Sequence, residues 1–565
     1  SRLNDWLILP VPRSRPEVNQ TCSYAEMWRA VVPLLKSSQR LGRKELVKLR
    51  RGVADRVNGV PVAARFHRAY DAPTMDPDTV VRTLRDLKLE QSSDLFLFEA
   101  LSHRFSANME EYFPPQIDTV LATFAELTFS NQQLLQGFTG RLEDVITDAS
   151  PRRLVRLLRN CAALRLRPDA WLGHLLPQLH RQLPNLRDGI PSVLGSLHAM
   201  RCRDPELAGL LLAQGLLAEE SGALGSGSFA RLFERWSRHT VPGEAAVPDS
   251  SMPVVARADA HAAELSSPAA VSGLDIREAL SLLAGLARRG QSQEAAALEL
   301  LLVERLQSAP PSEALLGLAW MQSLALRSAS LWKACADAVE LALARPSFVR
   351  DGLPSAIHAL ASLSLRSEEE EAVRDETALI TGLLNASETQ GALPKYSALQ
   401  SLQLLHAGCL LCVGQKPGGP PAQLSPSVPW VPLVTQVVRL ARKLTLQERR
   451  ILSSIVEYIQ GMTSDHDVQV VDILNTMPSL PVAALPPLME SQATAKDEWL
   501  LIEAGVETLL QPAGEPLQHS AVKFLGFGDT ITSVHALGDQ VPVSPACQMT
   551  VQVLEAKGWQ VQLRM

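Results

Sequence analysis

A chain of 565 residues is too long for one hydrophobic core, so two to four structural units are expected. With 46% apolar, 20% charged and 5% aromatic residues the composition excludes a disordered polymer, and a net charge of −6 speaks against a general polyanion binder. The charge is uneven: residues 1–60 hold 12 Lys/Arg against 5 Asp/Glu, an excess of +7 that leaves −13 on the remainder.

Residues 1–22 are Pro-rich and read as an extended N-terminal arm. Tyr24 to Lys36 reads as a helix with Met27, Val31, Leu34 and Leu35 on one face. Gly42 to Val57 reads as another and carries Arg43, Lys44, Lys48, Arg50, Arg51 and Arg56 around Leu46, Val47 and Leu49. This pair opens a first helical array over residues 23–220.

The same hairpin then recurs four times. Val80, Val81, Leu84, Leu87 and Leu89 align with Val120, Leu121, Phe124, Leu127 and Phe129. These align in turn with Leu157, Leu158, Cys161, Leu164 and Leu166, and with Val193, Leu194, Leu197, Met200 and Cys202. The intervals from Leu87 to Leu127, Leu164 and Met200 are 40, 37 and 36 residues. Spacing of 0, +1, +4, +7 within a row marks one face of an α-helix, and polar links such as Arg167-Pro168-Asp169 lead into a second apolar helix. A helix pair at this period cannot bury its own apolar face, so the copies must stack as an α-solenoid.

Residues 221–272 hold Gly222, Gly225, Gly227, Val241-Pro242-Gly243 and Val247-Pro248-Asp249, and read as a linker with one short helix from Phe229 to Trp236. A second array over residues 273–511 aligns Leu280, Leu283, Leu286 with Leu318, Met321, Leu324, with Ile357, Leu360, Leu363 and with Leu399, Leu402, Leu405. Ser323-Leu324-Ala325-Leu326-Arg327-Ser328 returns as Ser362-Leu363-Ser364-Leu365-Arg366-Ser367. Val431 to Gln460 reads as a further hairpin broken at Thr445, and Val468 to Ala504 as closing helices.

Residues 512–565 change texture. Val522-Lys523-Phe524 and Ile531 to Leu537 read as strands, and Ser544-Pro545 as a helix start with an N-cap serine and proline at N1. Trp559, Val561 and Leu563 alternate as a terminal strand after Gly558. The expected fold is mainly α: a solenoid of about ten hairpins in two arrays, ending in a small α/β module.

The phrase Val553-Leu554-Glu555-Ala556-Lys557-Gly558-Trp559-Gln560-Val561 resembles the end of a RAP domain, where a helix ending in Leu-x-x-x-Gly-Trp leads into the last strand. The helical rows before it resemble the repeats of FAST-kinase-type and octotricopeptide proteins, which place helical repeats ahead of such a domain. The resemblance covers roughly residues 75–565 and implies an RNA-associated protein of mitochondria or plastids. RAP domains are similar to restriction-endonuclease-like folds, whose nucleases hold a divalent metal on clustered carboxylates and a lysine. The strand Ile531 to Leu537 carries no acid, and of the usual acidic residue and glycine only Gly538-Asp539 remains, which argues against a nuclease.

Other candidate chemistry is sparse. Cys409-Leu410-Leu411-Cys412 with His406 has ligand spacing, but a zinc site requires a second pair that the sequence lacks. Glu555-Ala556-Lys557 lies on a helix without a partner acid, and Gly526-Phe527-Gly528 lacks the Gly-Lys-Ser/Thr of a phosphate loop. No catalytic residue, metal, cofactor or small-molecule substrate is therefore expected. The seven cysteines (Cys22, Cys161, Cys202, Cys335, Cys409, Cys412 and Cys547) are scattered, as buried thiols in a reducing compartment would be. No apolar run reaches the ~18 residues of a membrane span. The chain begins at Ser1, which a removed organellar presequence would explain, as would trimming of another kind.

The strongest functional signal is basic. Arg152, Arg153, Arg156 and Arg159 are placed on the outward side of the third hairpin's first helix, with Arg165 and Arg167 at its end and no acid among them. Together with Arg43, Lys44, Lys48, Arg50 and Arg51 they are the candidate RNA-binding residues, since guanidinium forks match phosphate oxygens. The alternative is a solvated arginine face paired to acids elsewhere. The expected function is a non-catalytic scaffold in the mitochondrial matrix, binding rRNA and proteins within the mitochondrial ribosome. A second reading is a helical accessory subunit of a respiratory or ATP synthase complex without RNA contact, which the negative net charge favours. A third, an RNA-processing enzyme using the C-terminal module, is disfavoured by the missing acids.

Overall fold

The computed structural model describes residues 69–477, apart from 91–93, 128, 130–131, 148, 165–171, 201–203, 239–251, 365–369, 414–423, 426 and 463–467. Beyond 477 it describes 506–508, 519–524, 532–533, 543–556 and 559–564. The expected arm and the two helices before residue 58 lie outside this set. Residues 1–65 and 66–565 form two separate units, and the description that follows concerns the second.

The chain is mainly helical. Its first stretch runs α1 (Pro77–Glu90), α2 (Leu95–Ala107), α3 (Pro114–Leu127), α4 (Gln132–Thr147), α5 (Pro151–Ala163), α6 (Leu172–Leu186), α7 (Ile190–Ala199) and α8 (Pro205–Glu220). Next come α9 (Ser226–Ser237), α10 (Met252–Leu265), α11 (Pro268–Val271), α12 (Ile276–Arg288), α13 (Ser292–Ser308), α14 (Pro311–Leu324) and α15 (Ala329–Ala342). Then follow α16 (Pro346–Asp351), α17 (Leu353–Leu363), α18 (Glu370–Thr389), α19 (Ala398–Cys412), α20 (Trp430–Leu440), α21 (Leu446–Met462) and α22 (Val468–Asn475). No described helix is long and apolar enough to cross a membrane.

The packing is repeat-like. Helices α1, α3, α5, α7, α9, α12, α14, α17 and α19 each lie against the next in that row, while α2, α4, α6, α8 and α10 pair successively beside them. The aligned apolar columns form the contact. Val80, Val120, Leu157 and Val193 are all buried, as are Leu84, Phe124, Cys161 and Leu197, and Leu87, Leu127, Leu164 and Met200. In the second array Leu280 to Leu286, Leu318 to Leu324 and Ile357 to Leu363 hold their columns, but Leu399 is 44% exposed. It sits in the first turn of α19, directly after the Ser397 cap, and the burial begins at Ser401 and Leu402.

Local signals set the helix ends. Ser150 Oγ accepts the Arg153 N–H at 3.4 Å, and Pro151 occupies N1 of α5. Asp275 and Glu278 form a reciprocal capping box at α12, and Thr445 with Glu448 makes the equivalent pair that breaks the hairpin before α21.

The segment 221–272, read from sequence as a linker with one helix, contains α9, α10 and α11. Within α9, Phe229, Leu232, Phe233 and Trp236 are buried. Its partner α12 supplies Gly285, where a Cβ would lie 2.6 Å from Phe233 Cδ1, so only glycine admits the ring at this distance. A buried ion cluster locks the same contact. Glu234 meets Arg238 of its own helix at 2.6 Å and Arg288 of α12 at 2.5 Å, and Arg288 Nη2 donates 2.8 Å to the Leu324 carbonyl of α14.

Near the C-terminus, β2 (Val506–Thr508), β3 (His519–Phe524) and β5 (Trp559–Arg564) form a sheet of order β2-β3-β5. β2 is antiparallel to β3, and β3 is parallel to β5. The crossover includes α23 (Pro545–Ala556), capped by Ser544 Oγ, which accepts the Cys547 N–H at 3.2 Å. β2 precedes Pro512, so the sheet draws on residues ahead of the boundary expected from composition. Between β3 and α23, β4 (Thr532–Ser533) pairs in parallel with β1 (Leu326–Arg327).

A polar chain links α14, α17 and α19. Gln322 Nε2 donates to His358 Nδ1 at 3.0 Å, which places the His358 proton on Nε2, from where it is donated to His406 Nδ1 at 2.9 Å. Burial lowers the His358 pKa to about 4, and burial together with the His358 charge lowers that of His406 to about 3. Both imidazoles are thus neutral when folded and take up protons on unfolding below about pH 6.5. Stability is expected to be complete above that pH and to fall, as pH drops from about 6.5 toward the folded values of about 4 and 3, by up to roughly 1.4 kcal/mol per pH unit for each histidine. Urea denaturation at a series of pH values checks this. His406→Gln should flatten the slope in that window, and an unchanged slope would remove the pair as its source.

Candidate nucleic-acid interface

The arginine-rich helix α5 reads Pro-Arg-Arg-Leu-Val-Arg-Leu-Leu-Arg-Asn-Cys-Ala-Ala. Leu154, Leu157, Leu158 and Cys161 are buried against α3 and α7, which leaves the arginines on the remaining arc. Arg152 and Arg159 are exposed, and no carboxylate or carbonyl among the described residues pairs with either.

Arg153 corrects the sequence reading. Its side chain is only 19% exposed, its Nη2 donates 2.8 Å to the Pro114 carbonyl, and its Nε lies 3.4 Å from Asp118 Oδ2. It therefore points back to the preceding hairpin rather than to solvent. Asp118, at the start of α3, is 3% exposed and also accepts from Arg156, whose side chain is 61% exposed. One buried carboxylate thus faces two guanidinium groups, so this pair retains a net positive charge. Arg165 and Arg167 lie outside the described residues, as do Arg43, Lys44, Lys48, Arg50 and Arg51.

The pattern at Arg153 recurs. Arg104 donates to the Met75 carbonyl at 2.8 Å, Arg181 to Thr147 at 3.0 Å, Arg305 to Leu274 at 2.8 Å and Arg439 to Pro394 at 3.2 Å. Arg104 and Arg305 satisfy a carbonyl just ahead of the first helix of their own hairpin, Arg181 one at the end of α4 in the preceding hairpin, and Arg439 one in the turn before α19. Several of the described arginines are thus claimed by the fold itself, and an arginine-rich face is open to a ligand only where the guanidinium groups remain unclaimed. Among the described residues nothing claims Arg152 or Arg159.

One basic residue near α5 escaped the sequence reading. Arg235 of α9 extends across α7, and its Nη1 donates to the Pro191 carbonyl. Burial lowers its pKa; Glu234 opposes this, while the positive charges of Arg238, Arg231 and Arg159 add to the lowering. The last two belong to α9 and α5, so the positive field spans both helices. The only sequence signal was Gly195 at an outward position of α7, which leaves room for the guanidinium.

The cysteine motif lies within the helical core. Cys409 and Cys412 are buried, and burial followed by the neighbouring Cys412 pushes the Cys409 thiol well above its ordinary pKa. Cys412 Sγ accepts the Ser425 N–H at 3.3 Å, and His406 is engaged with His358. Cys161, Cys335 and Cys547 are likewise buried. Among the described residues no group of three or more His, Cys, Asp or Glu is placed to hold a metal ion.

No protein-family model matches the chain, and no curated protein matches it.

Proposed function

We propose that this chain is a non-catalytic, RNA-associated scaffold of an organelle. The observation that carries the reading is the arginine edge of α5: Arg152 and Arg159 stand exposed with no carboxylate among the described residues, beside a half-neutralised Arg156, on a helix that contains no acid. Such groups bind phosphate oxygens through charge-assisted forked hydrogen bonds, and an RNA backbone offers those oxygens at regular spacing. Phosphate contacts position an RNA without reading its sequence, as a scaffold requires.

The architecture in this reading is an α-solenoid ending in a RAP-like α/β module. The row of first helices supports the former. The parallel β3–β5 pair with α23 between them, and the Leu554 to Trp559 phrase, support the latter. The RAP-like end suggests a mitochondrial ribonucleoprotein, with the mitochondrial ribosome in the matrix as the setting, rRNA on the basic edges and neighbouring proteins on the acidic remainder. The accessory-subunit reading is kept because Asp118 and the carbonyl-bound arginines account for part of the basic charge without RNA.

The test is crosslinking of RNA to the protein in intact organelles, followed by peptide mapping. Crosslinks in 152–167, and in 43–56, are expected. Their absence from both, with copurification of respiratory subunits, would favour the accessory-subunit reading.

A further inference from the structure

We propose that the phosphate-binding face does not stop at α5 but crosses α7 onto α9. It forms a trough walled by Arg159 on one side and by Arg231 and Arg235 on the other, which takes an RNA backbone lying across the three helices. The inference rests on the RNA reading above and adds residues to it.

Four observations carry it. First, α5, α7 and α9 pack in succession, so two interaxial spacings of 8–10 Å separate the arginine-bearing helices by roughly 16–20 Å. Second, the intervening helix is low and nearly uncharged: α7 reads Ile-Pro-Ser-Val-Leu-Gly-Ser-Leu-His-Ala, with half-buried Ser192 and Gly195 among its outward positions and His198 as its one titratable side chain. Third, the Arg235 guanidinium lies over Gly195. A Cβ at that glycine would stand 3.2 Å from Nη1 and 3.3 Å from Cδ and Cζ, so the missing side chain shapes this floor. Fourth, the positive groups are incompletely neutralised. Arg159 has no partner among the described residues, Arg231 donates to Ser228 Oγ at 3.1 Å and meets Glu278 only at 3.6 Å, and Arg235 is held by a neutral carbonyl with Glu234 as its opposing charge.

Arg235 reaches onto α7, which carries its charge toward Arg159, and like charges so placed repel one another while the helices fix them. An anion entering between them relieves the repulsion, whereas a cation or an apolar chain does not. Phosphates lying across the floor would be contacted from both walls, with Ser192 in the floor as a neutral hydroxyl.

The experiment measures binding of a labelled single-stranded RNA to the full chain between about 50 and 200 mM salt, with circular dichroism as the folding control. Three variants are compared. Arg152→Glu probes the α5 edge alone, Gly195→Asp sets a carboxylate on the floor, and Arg231→Gln removes one wall charge without touching α7. All three should weaken binding of every RNA sequence alike, and Arg231→Gln should lower the log–log salt slope by about 0.7–0.9. If Arg152→Glu weakens binding while Arg231→Gln and a folded Gly195→Asp bind as wild type does, the trough is wrong and the α5 reading stands. If the wild-type chain binds no RNA at the lowest salt, both are overturned. Inorganic phosphate at equal ionic strength should compete only weakly, since one phosphate fills a fraction of the trough; full competition would reassign the site to a small anion.

Discussion

Replacing Phe124 or Leu158 by aspartate is expected to unfold the helical stack. Both residues are fully buried in matched columns of consecutive first helices, α3 and α5. Phe124 lies 5.4 Å from the Phe129 ring, and Phe129 lies 5.6 Å from Phe98 of α2, so the substitution strikes a shared aromatic cluster. Losing the ring costs about 3–5 kcal/mol in packing, and burying an unpaired carboxylate adds several more. The total rivals the ~5–15 kcal/mol by which a typical domain is stable. Loss of helical circular dichroism, or of a cooperative melt, is the expected outcome. A wild-type melt in either variant would show that the hairpin register is drawn wrongly.

The second large effect is expected at Glu234. Burial alone would raise its pKa, but Arg288 and Arg238 more than offset this and hold the carboxyl below its ordinary value. Burial lowers the Arg288 pKa to about 10 even beside that carboxylate. Glu234→Ala leaves two guanidinium groups in a poorly solvated site with no counter-charge, at a cost of about 3–5 kcal/mol. The loss falls on the contact of α9 with α12 and α14, because Arg288 also caps the Leu324 carbonyl. Urea denaturation should show a lower midpoint, and limited proteolysis should show earlier cleavage in 221–272. A change below about 1 kcal/mol would mean that water reaches the cluster and that the segment behaves as the linker its composition suggests.

What could be read in advance depended on where the physical cause lies. The apolar columns from Val80 to Met200 were legible because helix burial follows from spacing within a dozen residues. The starts at Ser150-Pro151 and Ser544-Pro545, and the break at Thr445, were legible because a cap is a local hydrogen bond. Helix α10 was not, because its buried face of Val255, Ala258, Ala262 and Leu265 is built largely from alanine between Gly- and Pro-rich stretches. Leu399 matched its column, but a first-turn position faces past the neighbour it would have packed on.

The binding face was only partly legible for a different reason. Arg152, Arg153, Arg156 and Arg159 look equivalent in sequence, yet Arg153 turns to the Pro114 carbonyl 39 residues away and Arg156 is shared with Asp118. A guanidinium's partner one repeat away is not written among its sequence neighbours. Arg235, 76 residues beyond Arg159, joins the same positive field only through the stacking of α5, α7 and α9.

The most direct test of the central claim is the crosslinking map of RNA on the protein within intact organelles. The account predicts crosslinked peptides from 152–167, around the exposed Arg152 and Arg159, and from the basic stretch 43–56. A map with no RNA at either stretch, from a preparation in which other RNA-binding proteins crosslink normally, would contradict it.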